Sequence, residues 1–94
     1  MGHVALDDRQ FTLISKAVAD PKRFEMLQRI AQSKGALTCT EMCDGLERSP
    51  ATVSHHLREL ENAGLINVER EGKFAYISLR RDVWKAYLKR LGAL

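Results

Sequence analysis

Apolar positions along this chain keep a helical period over its first two thirds, then alternate, then return to the helical period. Between Asp8 and Ala19, Phe11, Ile14, Ala17 and Val18, with Leu13 on the flank, recur at the 3, 4 and 7 spacing of one helix face. Asp20-Pro21 resets the chain, because Asp20 can cap a helix and Pro21 fits a first helical position, where a missing N–H is no loss. Phe24, Leu27, Ile30 and Ala31, with Met26 beside them, predict a second helix over Pro21 to Ser33, with Gly35 available to end it in the left-handed conformation. Thr38-Cys39-Thr40-Glu41 has the form of a capping box and opens a short third helix reaching Leu46. Glu47 to Pro50 is a turn in which Ser49 caps and Pro50 begins a fourth helix, running to Ala63 and stopped by Gly64.

Beyond Leu65 the period becomes two. Ile66, Val68 and Arg70 alternate with Asn67 and Glu69, Glu71-Gly72-Lys73 supplies a turn, and Phe74 to Leu79 forms the returning strand, which together predict a β-hairpin. Asp82 is placed to cap a last helix carrying Val83, Trp84, Tyr87, Leu88 and Leu91. The predicted class is mainly α with a small β-hairpin (α+β), and the order of elements is that of a winged helix-turn-helix. The 94 residues fit a single domain, with residues 1–7 expected to be a poorly ordered leading segment.

The fourth helix carries the most informative chemistry. At about 100° per residue, Val53, Leu57, Leu60 and Gly64 share one face, while Ala51, His55, Arg58 and Asn62 share the opposite one, flanked by Thr52, Ser54 and Glu59. Short hydroxyls, an imidazole and a guanidinium near a helix N-terminus offer hydrogen-bond groups to base edges in a major groove, and the helix dipole favours phosphate. Thr52, Ser54, His55 and Arg58 are therefore the base-edge candidates, with Ser49 and the first-turn amides placed for a phosphate. Arg70 and Lys73 bracket the hairpin turn, where cations meet phosphates or a minor groove. The plainer alternatives are a solvated polar face and an ordinary charged hairpin tip. His56 borders the apolar stripe and suits a partly buried structural role, and Glu59 and Glu61 would repel a phosphate that they faced.

The run SPATVSHHLRELENAGLI from Ser49 to Ile66, followed by Arg70-Glu71-Gly72-Lys73 and Ile77-Ser78-Leu79, closely resembles the ArsR/SmtB family of bacterial winged-helix repressors. Ala19 to Leu27 (ADPKRFEML) is similar to that family's entry into its second helix, so the resemblance covers Ala19 to Leu79. It implies a sequence-specific DNA-binding repressor that dimerises through its terminal helices. The residues point the same way: the stripes carrying Phe11 and Ile14 on the first helix and Trp84, Tyr87, Leu88 and Leu91 on the last are wide for so small a core. A symmetric homodimer would read double-stranded DNA as an inverted repeat with half-sites about one helical turn apart. Folding of both stripes onto the monomer core is the alternative.

Metal-sensing members of the family carry a Cys-x-Cys-Asp run at the start of the third helix. Alignment on Ser54 to Leu57 puts Thr38 and Thr40 at those thiol positions, with Cys39 between them and Cys43 four residues on. A second family site uses Asp and His on the last helix; Asp82 is present, but Trp84 stands at the matching histidine. No metal and no cofactor are therefore expected. Cys39 and Cys43 stand one helical turn apart, and three readings stay open for them: core packing, redox or persulfide sensing, and, least supported, two ligands of an incomplete soft-metal site. The residues do not identify an effector.

Composition narrows the remaining classes. Fifteen Lys+Arg against twelve Asp+Glu give a formal charge of +3, a mild basic excess compatible with a polyanionic partner. With 45% hydrophobic and 29% charged residues the chain is an ordinary globular one. No apolar run approaches the roughly 18 residues of a membrane span. Two cysteines and no secretory leader point to the cytoplasm, with association to the nucleoid when DNA is bound. No phosphate loop, nucleophile elbow or paired-carboxylate motif is present, so an enzyme is not expected. A winged-helix interaction module that does not read DNA is the remaining alternative.

Overall fold

Four of the helices open on a side-chain oxygen that the sequence supplies. The computed structural model describes residues 6–33, 35–46 and 49–93. Asp7 caps α1 (Asp8–Val18) by accepting the Gln10 amide at 2.7 Å, and Asp20 caps α2 (Pro21–Gln32) by accepting those of Lys22 and Arg23 at 2.9 and 3.1 Å. Thr38 and Glu41 form the expected capping box ahead of α3 (Cys39–Leu46): Glu41 N–H donates to Thr38 Oγ1 at 3.1 Å, and Thr38 N–H donates to Glu41 Oε1 at 3.0 Å. Ser49 caps α4 (Pro50–Asn62), accepting the Thr52 amide at 3.2 Å. Each cap satisfies donors that a helix start would otherwise leave without partners.

The last helix differs. α5 (Arg81–Gly92) has Arg80 at its N-cap position and no side-chain cap hydrogen bond. Asp82, expected as the cap, lies inside the first turn and pairs with Arg80 at 3.7 Å. The start is held by the backbone instead, since Arg80 N–H donates to Leu65 O at 2.8 Å, so the chain leaves the sheet already fixed in place. Gly35 is not a left-handed cap either. α2 ends at Ser33 in extended conformation, and among the described glycines only Gly64 and Gly72 have positive φ.

The hairpin consists of β2 (Ile66–Glu71) and β3 (Phe74–Leu79), paired from Ile66↔Leu79 to Glu71↔Phe74. Gly72, at φ +59°, opens its two-residue turn, a conformation that L side chains rarely adopt. A two-residue strand, β1 (Leu37–Thr38), joins the far edge of β3 in antiparallel register, giving the order β1-β3-β2. The sequence pattern does not show β1, because two residues carry no alternation.

Helices α1, α2, α3 and α4 pack together with β3 around a core in which Ile14, Met26, Ile30, Met42, Leu60 and Ile77 are essentially inaccessible. Phe24, read as a core position of α2, is instead 37% exposed; the buried stripe is centred on Met26, Leu27 and Ile30. Residues 1–5, most of the segment expected to be poorly ordered, lie outside the described residues, whereas Leu6 packs against the core and Asp7 caps α1.

Candidate nucleic-acid interface

α4 divides as its periodicity requires. Val53, Leu57 and Leu60 are buried and anchor the helix on the core, which turns Thr52, Ser54, His55 and Arg58 outward, all of them exposed. His56 is 8% exposed and belongs to the inner face, as expected of a structural histidine. Its ring lies 5.7 Å from that of His55, so two adjacent imidazoles have opposite roles in packing.

The N-terminal end of α4 is more engaged than the sequence suggests. Ser49 Oγ accepts the Thr52 amide and lies 2.9 Å from Thr52 Oγ1, and the Val53 amide donates to Ser49 O at 3.1 Å. Pro50 has no amide, so Ala51 supplies the remaining first-turn N–H at this exposed end. Residues 47 and 48 of the connecting turn lie outside the described residues.

The hairpin projects beside the C-terminal half of α4 and carries Arg70 and Lys73, both exposed. Arg70 Nη1 lies 4.0 Å from Glu61 Oε2, and the two side chains are 66% and 38% exposed. At such exposure the pair contributes little to stability, about 0–1 kcal/mol. The contact places Arg70 on the side of the wing that faces α4. Glu59 is half-buried, and Glu71 is exposed at the hairpin tip. Phe74, also at the tip, is 49% exposed, an exposed aromatic that the alternation pattern alone did not single out.

Helices α1 and α5 form an aromatic cluster. The Phe11 and Tyr87 rings are 5.1 Å apart, those of Trp84 and Tyr87 5.6 Å, and Tyr87 Oη lies 3.0 Å from Ser15 Oγ. Arg90 sits over the Phe11 ring at 4.3 Å and pairs with Asp8. Of the six residues expected at a subunit interface, Ile14 and Tyr87 are buried inside the chain itself, and Phe11 and Trp84 are half-buried against the core. Leu88 and Leu91, 46% and 41% exposed, leave an apolar strip on the outer face of α5.

Cys39 is half-buried at the start of α3; the side chain of Cys43 lies outside the described residues. Among the described residues no three His, Cys, Asp or Glu side chains gather as a metal site would require. None of the described helices is long and apolar enough to cross a membrane.

A core-anchored helix displaying a polar face, preceded by a capped helix and flanked by a hairpin that carries Arg70 and Lys73, defines a winged helix-turn-helix protein. A family model for a helix-turn-helix domain matches residues 18–69. YceK of Bacillus subtilis, an uncharacterized HTH-type transcriptional regulator, is 30% identical over 82 residues, 87% of this chain and 82% of the relative. The arsenical resistance operon repressor of the same organism is 31% identical over 74 residues, 79% of this chain and 70% of the relative. The homodimeric winged helix-turn-helix DNA-binding domain of Mb0332 from Mycobacterium bovis superposes with a TM-score of 0.74 at 25% identity, covering 97% of this chain and 90% of that one. The chain belongs to the ArsR family of winged helix-turn-helix transcriptional regulators.

Proposed function

We propose that this protein is a homodimeric repressor, a single domain spanning residues 1–94, that reads an inverted-repeat operator through α4 and the hairpin wing. The observation that carries this reading is the split of α4, whose buried face fixes the helix on the core while Ser54, His55 and Arg58 stand exposed together on the other. Thr52, Ser54, His55 and Arg58 meet base edges in the major groove. Ser49 holds the helix start in register, and the Ala51 amide faces a phosphate. Arg70 and Lys73 supply phosphate or minor-groove contacts from the wing. Support for repression comes from the arsenical resistance operon repressor, and support for dimerisation from the homodimeric Mb0332 domain and from the exposed Leu88 and Leu91.

The protein acts in the cytoplasm on nucleoid DNA, without catalysis. Thr38 and Thr40 replace the thiols that the family's metal sensors carry, so repression does not depend on a metal at α3. Fluorescence-anisotropy titration of the DNA upstream of its own gene, at fixed salt, tests the reading. Binding well above that to a scrambled duplex is expected, and equal affinity for both would reduce the protein to a winged-helix module without operator specificity.

A further inference from the structure

The space between α4 and the wing has a chemistry of its own. A cleft of about 290 Å³ opens there, lined by the apolar Leu57 of α4, Val68 of β2 and Ala75 of β3, by Cys39 of α3 and Ser54 of α4, and by the charged Arg58, Glu61 and Arg70. Its volume lies just below the roughly 300–1,000 Å³ of sites for drug-sized ligands, so an occupant must be small. Two guanidiniums against one carboxylate leave the lining with one net positive charge. The 4.0 Å approach of Glu61 to Arg70 partly neutralises one cation and leaves Arg58 as the stronger anion partner. The apolar lining side chains would gain nothing from a bare inorganic anion.

We propose that this cleft takes a small amphiphilic monoanion, a carboxylate carried on a compact apolar body, and that this ligand competes with DNA for Arg58 and Arg70. The carboxylate sits between the two guanidiniums, and the body covers Leu57, Val68 and Ala75. The regulatory half of the inference rests on the proposed DNA reading, since a carboxylate between Arg58 and Arg70 would take the guanidiniums that this reading gives to a base edge and to the wing's phosphate or minor-groove contact. A DNA phosphate is the other anion these guanidiniums could hold, but it brings no apolar body to Leu57, Val68 and Ala75. Charge recognition and apolar contact are therefore separable by experiment.

Sodium benzoate is a suitable probe, with benzyl alcohol as its neutral counterpart and sodium chloride at matched ionic strength as the screening control. Methyl-labelled full-length protein, followed by NMR without DNA, should show saturable shifts at Leu57, Val68 and Ala75. Benzyl alcohol should bind about tenfold more weakly or worse, the cost of losing a charge-assisted contact. Ala75→Phe fills the cleft from a half-exposed strand position and should abolish the shifts; Ala75→Leu, a smaller intrusion, serves if the larger ring perturbs the wing. In the DNA titration, benzoate should weaken operator binding of the wild-type protein beyond the chloride control, while Ala75→Phe binds DNA normally and ignores benzoate. Absence of saturable shifts, equal binding of the alcohol, or equal displacement from Ala75→Phe would each overturn the inference. Benzoate binding that leaves operator affinity unchanged would overturn the competition. Methyl shifts in a protein that binds no operator would sink the DNA reading and leave the cleft as a carboxylate site.

Discussion

Two residues show how much of this small fold is decided by single atoms. Glu41 accepts both the amide and the hydroxyl of Thr38, and these hydrogen bonds, the backbone one foremost, hold its carboxyl below the ordinary glutamate value. A carboxylate whose pKa is depressed by folding stabilises the native state fully above its unfolded pKa and loses that contribution as pH falls through the folded value. Glu41→Gln should therefore lower Tm near neutral pH, and its gap to wild type should close as pH falls through the lowered folded-state value of Glu41. Asp20, lowered chiefly by the Arg23 amide, titrates in both proteins and cancels in the difference, so a gap independent of pH would show that the Glu41 charge does not stabilise the α3 cap. Gly64 makes the second case. It ends α4 at φ +80°, where Leu65 N–H reaches back to Leu60 O at 3.1 Å, and a Cβ would stand 2.6 Å from Gln10 Nε2. The amide end of Gln10 can move aside, so the backbone strain dominates, and Gly64→Ala should cost about 1–2 kcal/mol in denaturant unfolding. An unchanged midpoint would mean that the turn relaxes to negative φ.

At the scale of elements, α4 and the wing should fail in different ways. Arg58→Ala removes a base-edge candidate and should cost about 1–3 kcal/mol of operator binding while relaxing base preference at one position. Lys73→Ala removes a phosphate contact, so it should weaken all sequences alike and reduce the salt slope by about one. A selection experiment on randomised half-sites, run at two salt concentrations, separates the two; identical profiles would mean that Arg58 touches only the backbone. These elements were legible in the sequence because each is bounded by local chemistry: Ser49-Pro50 at one end of α4, Gly64 at the other, and Gly72 in the wing. What stayed hidden depends on contacts between distant segments. β1 exists because Leu37 and Thr38 meet Ile77 and Tyr76, and α5 starts just after Arg80 because Leu65 holds the Arg80 amide, not because Asp82 is nearby. Phe24 looked like core from its spacing, yet that edge of α2 faces a groove shared with Leu27, Leu79 and Trp84. The cleft between α4 and the wing was hidden for the same reason, since its residues come from four elements, α3, α4, β2 and β3, that only the fold brings together.

For the whole molecule, symmetry decides whether two reading heads act as one. Periodicity marks Ile14, Trp84, Tyr87, Leu88 and Leu91 alike as apolar, but packing sorts them. Tyr87 and Ile14 are buried in the monomer and Trp84 stacks on Tyr87, so substitution at any of these three would damage the fold along with any interface. Leu88 and Leu91 are one turn apart on α5 and remain largely exposed. Burying a leucine fully contributes about 1.5–3 kcal/mol, and a two-fold axis would bring both copies of each into play. Leu88→Asp is thus the clean test. It should leave the monomer's far-UV spectrum and core intact, shift the mass in light scattering from dimer to monomer, and lose the gain from binding two half-sites together, about 10²–10⁴-fold in operator affinity. A dimer that persists at the same concentration would remove this face of α5 from the interface. A monomer that binds the full operator as tightly as wild type would show that one α4 and one wing suffice.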